Sequence, residues 1–167
     1  MKIHNVITNS QLQHEKMRKN KLQRSVLKRA IVIDDDESLR TAISALLKKR
    51  EYEVHAYPEP SLCPIFLECA CHCPVEHACT SIIVIDVNLP NMTGLEFIES
   101  QKRHGCKVHN IAVMSAVWKE AELKLFESFG CKIFTKPFKR DELTNWLNEC
   151  ERNTDPNFKL SDLPCNT

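Results

Sequence analysis

Carboxylates end two of the most apolar runs in the chain. The run 30–34 leads into Asp34 and Asp35, and the run 82–86 ends on Asp86. A short apolar run bounded by turn residues indicates a buried strand, and open α/β sheets bind ligands at the carboxyl ends of their strands. Neighbouring carboxylates repel one another, and a hard divalent cation such as Mg²⁺ relieves that repulsion. These acids therefore predict a metal-binding sheet edge with Asp86 as a candidate nucleophile.

Two further apolar segments end in groups that suit phosphate chemistry. Ser115 follows the run 109–114, and Lys136 follows the run 132–135. Lysine is a mobile point charge that can pair with Asp86 or with a phosphoryl oxygen, while the serine offers a hydroxyl group. Phosphoryl transfer requires mainly positioning and charge neutralisation, so the four strand ends together predict a phosphoacceptor pocket. Taken singly, each has a simpler explanation, since acids at 34–36 also favour a helix start.

Alternating strands and helices must position these groups. Strands are predicted at 30–34, 53–57, 82–86, 109–114 and 132–135, and helices at 37–50, 93–103, 118–129 and 139–150. Such alternation predicts an α/β fold with a doubly wound five-stranded parallel sheet. Right-handed crossovers then place the carboxyl ends of the strands along one edge of the sheet.

Four segments of the chain, in order, carry a resemblance to a known family. They are IVIDDDESLR, IIVIDVNLPNMTGLEF, VMSA and FTKPF, and together they span about residues 29–150. In these segments the chain resembles the receiver domain of two-component response regulators. The resemblance implies a (βα)₅ flavodoxin-like receiver fold and a signalling protein whose only chemistry is self-phosphorylation from donors and autodephosphorylation.

The resemblance also implies a role for each pocket residue. Asp86 would accept a phosphoryl group from a sensor histidine kinase, a phosphotransfer protein or a small phosphodonor. Ser115 and Lys136 would hold the phosphoryl oxygens, and Pro137 would follow the lysine through a cis peptide bond. Mg²⁺ would be bound by the side chains of Asp34, Asp35 and Asp86 and by the backbone carbonyl of Asn88.

Two positions depart from the family pattern. Ile133 stands three residues before Lys136, where the family often has an aromatic residue that moves inward on activation. Val117 stands two residues after Ser115, where polar side chains can help to position an attacking water.

The connector 58–81 is unusual because it contains five of the nine cysteines in the chain. We expect a helix from Pro64 to about Cys73, ended by Pro74. Three alternatives stay open: a Zn²⁺ or iron–sulfur site, a redox switch, or cysteines that only pack. The candidate ligands or redox groups are Cys63, Cys69, Cys71, Cys73, Cys79, His72 and His77. The remaining cysteines, Cys106, Cys131, Cys150 and Cys165, are dispersed and are expected to pack.

The charge is distributed unevenly between the two parts of the chain. Residues 1–29 carry eight basic residues and one acid, Glu15, for a net +7, so the rest of the chain carries −6 of the total of +1. We divide the chain into a basic arm at 1–28, a receiver domain at 29–151 and a mobile tail at 152–167. The arm is expected to be a partly helical, solvated segment or a docking helix for a partner, a membrane surface or nucleic acid.

The apolar runs and the composition of the basic arm indicate the location of the protein and the kind of partner it binds. It shows neither the apolar core of a signal peptide nor a run long enough to span a membrane, so the expected location is cytoplasmic. There thiols stay reduced, which disfavours structural disulfides. No aromatic residue is interleaved with the basic residues of the arm, so direct DNA binding is not expected. The expected output is contact with a downstream protein, which the sequence does not identify.

Overall fold

Seven strands organise the chain in the computed structural model, which describes residues 28–66, 71–74 and 77–163. The strands are β1 (Lys28–Ile33), β2 (Tyr52–Tyr57), β3 (His77–Ala78), β4 (Ile82–Asp86), β5 (Asn110–Ser115), β6 (Lys132–Thr135) and β7 (Lys159–Leu160). Five of them form one sheet in the order β2-β1-β4-β5-β6, and β3 pairs with β7 in a second, two-stranded sheet. All pairings are parallel, which confirms the predicted doubly wound sheet.

The strand order places a ligand crevice between β1 and β4. The chain crosses from β1 outward to β2 and then back past β1 to β4, so the direction of winding reverses there. Ligands of open α/β sheets bind at such a reversal, outside the carboxyl ends of the strands. Asp34 directly follows β1 and Asp86 is the last residue of β4. The topology therefore brings the two predicted acid groups to the same point.

Four helices flank the sheet: α1 (Glu37–Lys49), α2 (Gly94–Arg103), α3 (Glu120–Ser128) and α4 (Arg140–Asn153). Asp36 caps α1 by accepting hydrogen bonds from two backbone N–H groups of the first turn. Thr93 and Glu96 form a reciprocal capping box at the start of α2. These caps satisfy N–H groups that have no partner inside a helix, and they fix where each helix leaves the carboxyl edge of the sheet.

Alternate residues of the central strands face two separate hydrophobic layers. Ala30 and Val32 of β1 pack with α1 and α4, whereas Ile31 and Ile33 pack with α2, α3 and the connector. A parallel sheet covered on both faces needs apolar side chains on both faces, which explains the continuous apolar runs in the sequence. The sheet is therefore a rigid support for the groups at its carboxyl edge.

In its described residues, the connector does not show the helix that we expected between Pro64 and Cys73. A 3₁₀ turn at Pro60–Leu62 is followed by non-helical residues at 63–66 and 71–74, and residues 67–70, including Cys69, lie outside the described part. The reason lies in the backbone hydrogen bonds. The N–H of Cys71 donates to the carbonyl of His104 at 2.7 Å, so it is committed to the end of α2 instead of to a helical turn.

The C-terminal segment, which we predicted to be a mobile tail from residue 152, has packing contacts through residue 163. Strand β7 pairs with β3, and Phe158 and Leu163 pack against the hydrophobic layer on the α2 and α3 side. Arg29 holds this region in place, because its Nη1 donates to the carbonyl of Cys79 at 2.7 Å and to that of Ser161 at 3.0 Å. The arginine thus joins β1, the connector and the C-terminal segment.

The predicted arm lies almost wholly outside the described residues, which begin at Lys28 in β1. Its expected partly helical structure and its possible docking role therefore stay predictions. At the other boundary, α4 continues to Asn153, two residues into the predicted tail. No helix in the described ranges is long and apolar enough to cross a membrane.

Candidate functional site

The site begins with two buried carboxylates at the crevice. Asp34 is fully buried and accepts a hydrogen bond from the N–H of Asp36 at 2.9 Å, which orients its side chain as α1 begins. Asp86 is 6% exposed and accepts a hydrogen bond from the N–H of Asn88 at 3.1 Å. Asp35 is exposed beside them. Each acid is therefore held by the turn that follows its strand.

Lys136 joins the two buried acids. It directly follows β6, and the peptide bond that joins it to Pro137 is cis, as expected. Its Nζ lies 2.9 Å from Oδ2 of Asp34 and 2.8 Å from Oδ2 of Asp86. One ammonium group thus bridges residues that are 102 and 50 positions away in the chain.

The electrostatics of this group depend on burial and on the bridge. Burial raises the pKa of Asp34 above its ordinary value, with the charge of Asp86 adding to the rise and Lys136 opposing it. Burial alone would lower the pKa of Lys136, but its hydrogen bonds to Asp86 and Asp34 outweigh burial and raise it. Lys136 is therefore firmly cationic, and the two carboxylates share a single positive charge.

Ser115 completes the pocket from the end of β5. Its hydroxyl is fully buried, donates to the carbonyl of Val117 at 2.6 Å and accepts from Nδ2 of Asn88 at 2.9 Å. The side chain of Val117 is exposed, so only the backbone of this residue contacts the serine. The hydroxyl is thus linked on one side to the β4–α2 loop and on the other to the β5–α3 loop.

The donor set suits a hard cation. Asp34, Asp35 and Asp86 each offer a carboxylate oxygen, and these oxygens all lie within 4.8 Å of one another. Oxygen ligands of this kind are those that Mg²⁺ prefers. Among the described residues, Lys136 is the lysine that forms ion pairs with these acids. The residues present therefore fit the predicted Mg²⁺ site, while the backbone carbonyl of Asn88 stays a predicted ligand.

Gly94 is a residue of this site whose role the sequence did not reveal. A Cβ at this position would collide with the backbone carbonyl of Asp86 and with Cα of Val87. The N–H of Gly94 donates to the carbonyl of Val87 at 2.9 Å, so α2 starts directly against the end of β4. The signal in the sequence was a glycine eight residues after a strand-ending acid, which alone does not reveal a close backbone approach.

Trp118 supplies an aromatic contact to β6, in which Ile133 stands where the family often has an aromatic residue. Ile133 is half-buried in β6, whereas the indole Nε1 of Trp118 donates to the hydroxyl of Thr135 at 3.0 Å. The ring also packs edge-on against Phe126 of α3, with 5.9 Å between ring centroids. An aromatic side chain thus connects the β5–α3 loop to β6 from the loop side.

The described cysteines of the connector lie beside the end of α2. Cys79 is buried in the hydrophobic layer on the α2 and α3 side, and Cys73 and Cys106 pack against it. The N–H of Cys71 donates to the carbonyl of His104, two residues before Cys106, so Cys106, which we expected to be dispersed, adjoins the connector. Burial raises the pKa of the thiols of Cys73, Cys79 and Cys106, and the neighbouring thiols add to each rise.

The other described candidates in the connector differ in their burial. Cys63 is buried in the hydrophobic layer, where burial raises the pKa of its thiol to about 12. His72 is exposed, and His77 lies half-buried in β3. These elevated thiol pKa values do not favour a redox switch that depends on reactive thiolates.

Comparisons with known proteins agree with this arrangement. The model of the response regulator receiver domain family matches residues 30–148. The response regulator protein TodT of Pseudomonas putida is 25% identical over 112 residues, which cover 67% of this chain and 46% of that protein. The chain thus spans about half the length of this curated relative.

Solved structures share the fold. The chemotaxis protein CheY4 of Vibrio cholerae superposes with a TM-score of 0.58 at 21% identity, over 74% of this chain and 98% of that one. A CheY-like receiver domain protein from Methanospirillum hungatei JF-1 gives a TM-score of 0.58 at 21% identity, over 75% and 95%. With a family match that covers most of the described residues, the chain belongs to the response regulator receiver domain family.

Proposed function

We propose that Asp86 is the phosphoacceptor of this receiver domain. A carboxylate oxygen of Asp86 attacks the phosphorus of a phosphodonor, a new P–O bond forms, and the bond from phosphorus to the donor breaks. With a phosphohistidine donor the leaving imidazole takes up a proton from solvent. The product is an acyl phosphate. The observation that carries this proposal is the Lys136 ammonium bridging Asp34 and Asp86 at 2.9 and 2.8 Å.

The surrounding groups are suited to the charge that arrives with the phosphoryl group. Lys136 can turn from the carboxylates to a phosphoryl oxygen, because a lysine ammonium is a point charge on a flexible stem. The hydroxyl of Ser115 can exchange the Val117 carbonyl for another phosphoryl oxygen. Asp34, Asp35 and Asp86 would hold Mg²⁺, with the carbonyl of Asn88 as a further ligand; when bound, this cation neutralises charge between the carboxylates and the phosphoryl oxygens.

The signal is proposed to leave through the face formed by α3, β6 and α4. Val117 is 74% exposed and Leu125 of α3 is 39% exposed, so this side offers apolar contact area. The link to the pocket runs from the Ser115 hydroxyl through the loop to Trp118 and its hydrogen bond to Thr135. A hydroxyl that turns toward phosphate gives up the Val117 carbonyl, which frees the loop to move.

The proposal includes the partners and the compartment. The phosphodonor is a sensor histidine kinase or a phosphotransfer protein, and the output is contact with a downstream protein. Beyond self-phosphorylation and autodephosphorylation no enzymatic activity is proposed. A cytoplasmic location fits nine cysteines that are to stay as thiols. A metal- or redox-sensing module, the alternative from the sequence, explains neither the bridging lysine nor the acidic crevice.

Incubation with acetyl phosphate and Mg²⁺, followed by intact mass spectrometry, tests the proposal. Wild-type protein should gain one phosphoryl group, and Asp86→Asn should gain none. Asp141→Asn is the matched control, because Asp141 is an exposed acid in the first turn of α4. Equal labelling of Asp86→Asn and wild type would refute the assignment.

A further inference from the structure

Four cysteines from distant parts of the chain lie together on the side of the sheet covered by α2 and α3. Cys71 and Cys73 lie in the segment 71–74, Cys79 directly follows β3, and Cys106 lies in the loop after α2. Cys79 is buried in the hydrophobic layer on that side, and Cys73 and Cys106 pack against the same layer. Cys71 adjoins them, because its N–H donates to the carbonyl of His104, two residues before Cys106. We name these four residues the thiol cluster.

Backbone contacts place Cys71 and Cys106 at the same end of α2. The N–H of Cys71 donates to the carbonyl of His104 at 2.7 Å, which docks the connector onto the end of α2 two residues before Cys106. The N–H of Cys106 donates to the carbonyl of Gln101 at 2.9 Å and thereby holds the loop against the helix. The thiol cluster thus joins segments whose cysteines are up to 35 positions apart.

The region around the thiol cluster has little regular structure to stabilise it. Strands β3 and β7 contain two residues each, and segments 63–66 and 71–74 have no helix or strand. A two-stranded sheet of this size is at best marginally stable by itself. A cross-link between the connector and α2 would supply the stability that these short elements do not.

The chemistry of the thiol cluster selects the kind of cross-link. Its four donor atoms are all sulfur; Cys79 is 3% exposed, and the other three residues are half-buried. Thiolate sulfur is the preferred donor for Zn²⁺ and other thiophilic ions, and four cysteines complete a structural tetrahedral site. Lys102 of α2 lies near Cys106 and can offset part of the negative charge that such a site carries.

We propose that Cys71, Cys73, Cys79 and Cys106 bind one thiophilic divalent cation that fastens the connector to the end of α2. Four thiols each lose a proton to solvent and four sulfur–metal bonds form, so the site gains a net charge of −2 and nothing is oxidised. This site is separate from the acidic crevice and does not depend on the function proposed for Asp86.

Binding draws the four sulfurs closer together. A tetrahedral Zn²⁺ site with four cysteines has Zn–S bonds of about 2.3 Å, so its sulfur atoms lie about 3.8 Å from one another. Among the described residues, only the acidic group at the sheet edge already has its ligand atoms all within 4.8 Å of one another. The segment 71–74 can supply the movement, because it has no regular secondary structure. Metal binding should therefore order this segment, and hydrogen exchange should slow there.

The test uses the full chain, purified metal-free under a thiol-free reductant and titrated with Zn²⁺ against a chromogenic chelator. We expect one Zn²⁺ per chain. Cys106→Ser should weaken binding by more than about 100-fold, because even outer-sphere partners of a metal site contribute about 10–100-fold. Cys131→Ser is the matched control: Cys131 is another half-buried cysteine just after a helix, and it should bind Zn²⁺ as wild type does.

Substitution with Co²⁺ gives a readout that does not depend on the variants. The wild-type chain should show the thiolate-to-cobalt charge-transfer and intense visible bands of a tetrahedral sulfur site. Absence of these bands, or full Zn²⁺ affinity in Cys106→Ser, would overturn the proposal. Phosphorylation of Asp86 in the same Cys106→Ser sample shows that the variant is folded. This phosphorylation measurement also tells the two proposals apart, because it reports on Asp86 independently of Zn²⁺ binding.

Discussion

Replacing Lys136 by methionine should destabilise the protein strongly at neutral pH. The ammonium lies 2.9 Å from Asp34 and 2.8 Å from Asp86, and only 20% of the lysine side chain is exposed. At an effective dielectric constant of about 20, each contact contributes about 6 kcal/mol of attraction before desolvation is counted. Because desolvation offsets much of this, we expect a loss of about 3–5 kcal/mol in the free energy of unfolding, the usual cost of leaving a buried charge without its partner.

The sign of the pH dependence follows from Asp34. The pKa of Asp34 is raised in the folded protein. Above that pKa the ionised carboxylate lowers the free energy of unfolding, and this loss disappears when the pH falls below the pKa and the group is protonated. Removing Lys136 takes away a neighbour that opposes this rise. The destabilisation by Lys136→Met should therefore shrink between about pH 7 and about pH 4.5.

Urea denaturation of wild type and Lys136→Met at both pH values measures these differences. Lys124→Met is the matched control, because Lys124 is 72% exposed in its ion pair with Glu120 and such pairs contribute at most about 1 kcal/mol. If the free energy of unfolding of Lys136→Met were within about 1 kcal/mol of the wild-type value at neutral pH, the ammonium of Lys136 would not balance the charges of Asp34 and Asp86. A cost that grows on acidification would contradict the role given to Asp34.

Three further outcomes are expected. Gly94→Ala should lower the free energy of unfolding by about 1–3 kcal/mol in denaturant titrations, since its Cβ meets the carbonyl of Asp86, and unchanged stability would contradict that close approach. Acetyl phosphate should change tryptophan emission in wild type but not in Asp86→Asn, and Thr135→Val should diminish the change by removing the hydroxyl that binds Trp118. Arg29→Met should accelerate hydrogen exchange at 77–81 and 158–163, which it joins, while exchange in β5 stays unchanged.

The sheet and the acidic crevice could be predicted because their signals are local. Continuous apolar runs mark strands that are buried on both faces, and each functional group stands directly at the end of such a run. Once the strands are parallel, Asp34, Asp86, Ser115 and Lys136 must meet at one edge. The contact of Lys136 with both Asp34 and Asp86 could be seen only in the structure, because the sequence does not show that one ammonium group reaches both carboxylates.

The connector and the C-terminal segment could not be predicted because non-local contacts determine them. Pro64 and the apolar residues after it favour a helix locally, but the N–H of Cys71 pairs with His104 of a later segment. Cys106 has no neighbouring cysteine in the sequence, so its place in the thiol cluster appears only when the end of α2 meets the connector. Strand β7 has two residues and depends on β3 for its pairing.

The central claim is that the acyl phosphate forms on Asp86, and chemical mapping of that bond tests it most directly. Borohydride reduces an aspartyl phosphate to homoserine, which peptide mass spectrometry locates by residue. Wild-type protein treated with phosphodonor and Mg²⁺ should show homoserine at position 86 and at no other acid, with none in the untreated sample. Homoserine at Asp34 or Asp35, or none at all in protein that carries phosphate, would contradict the account.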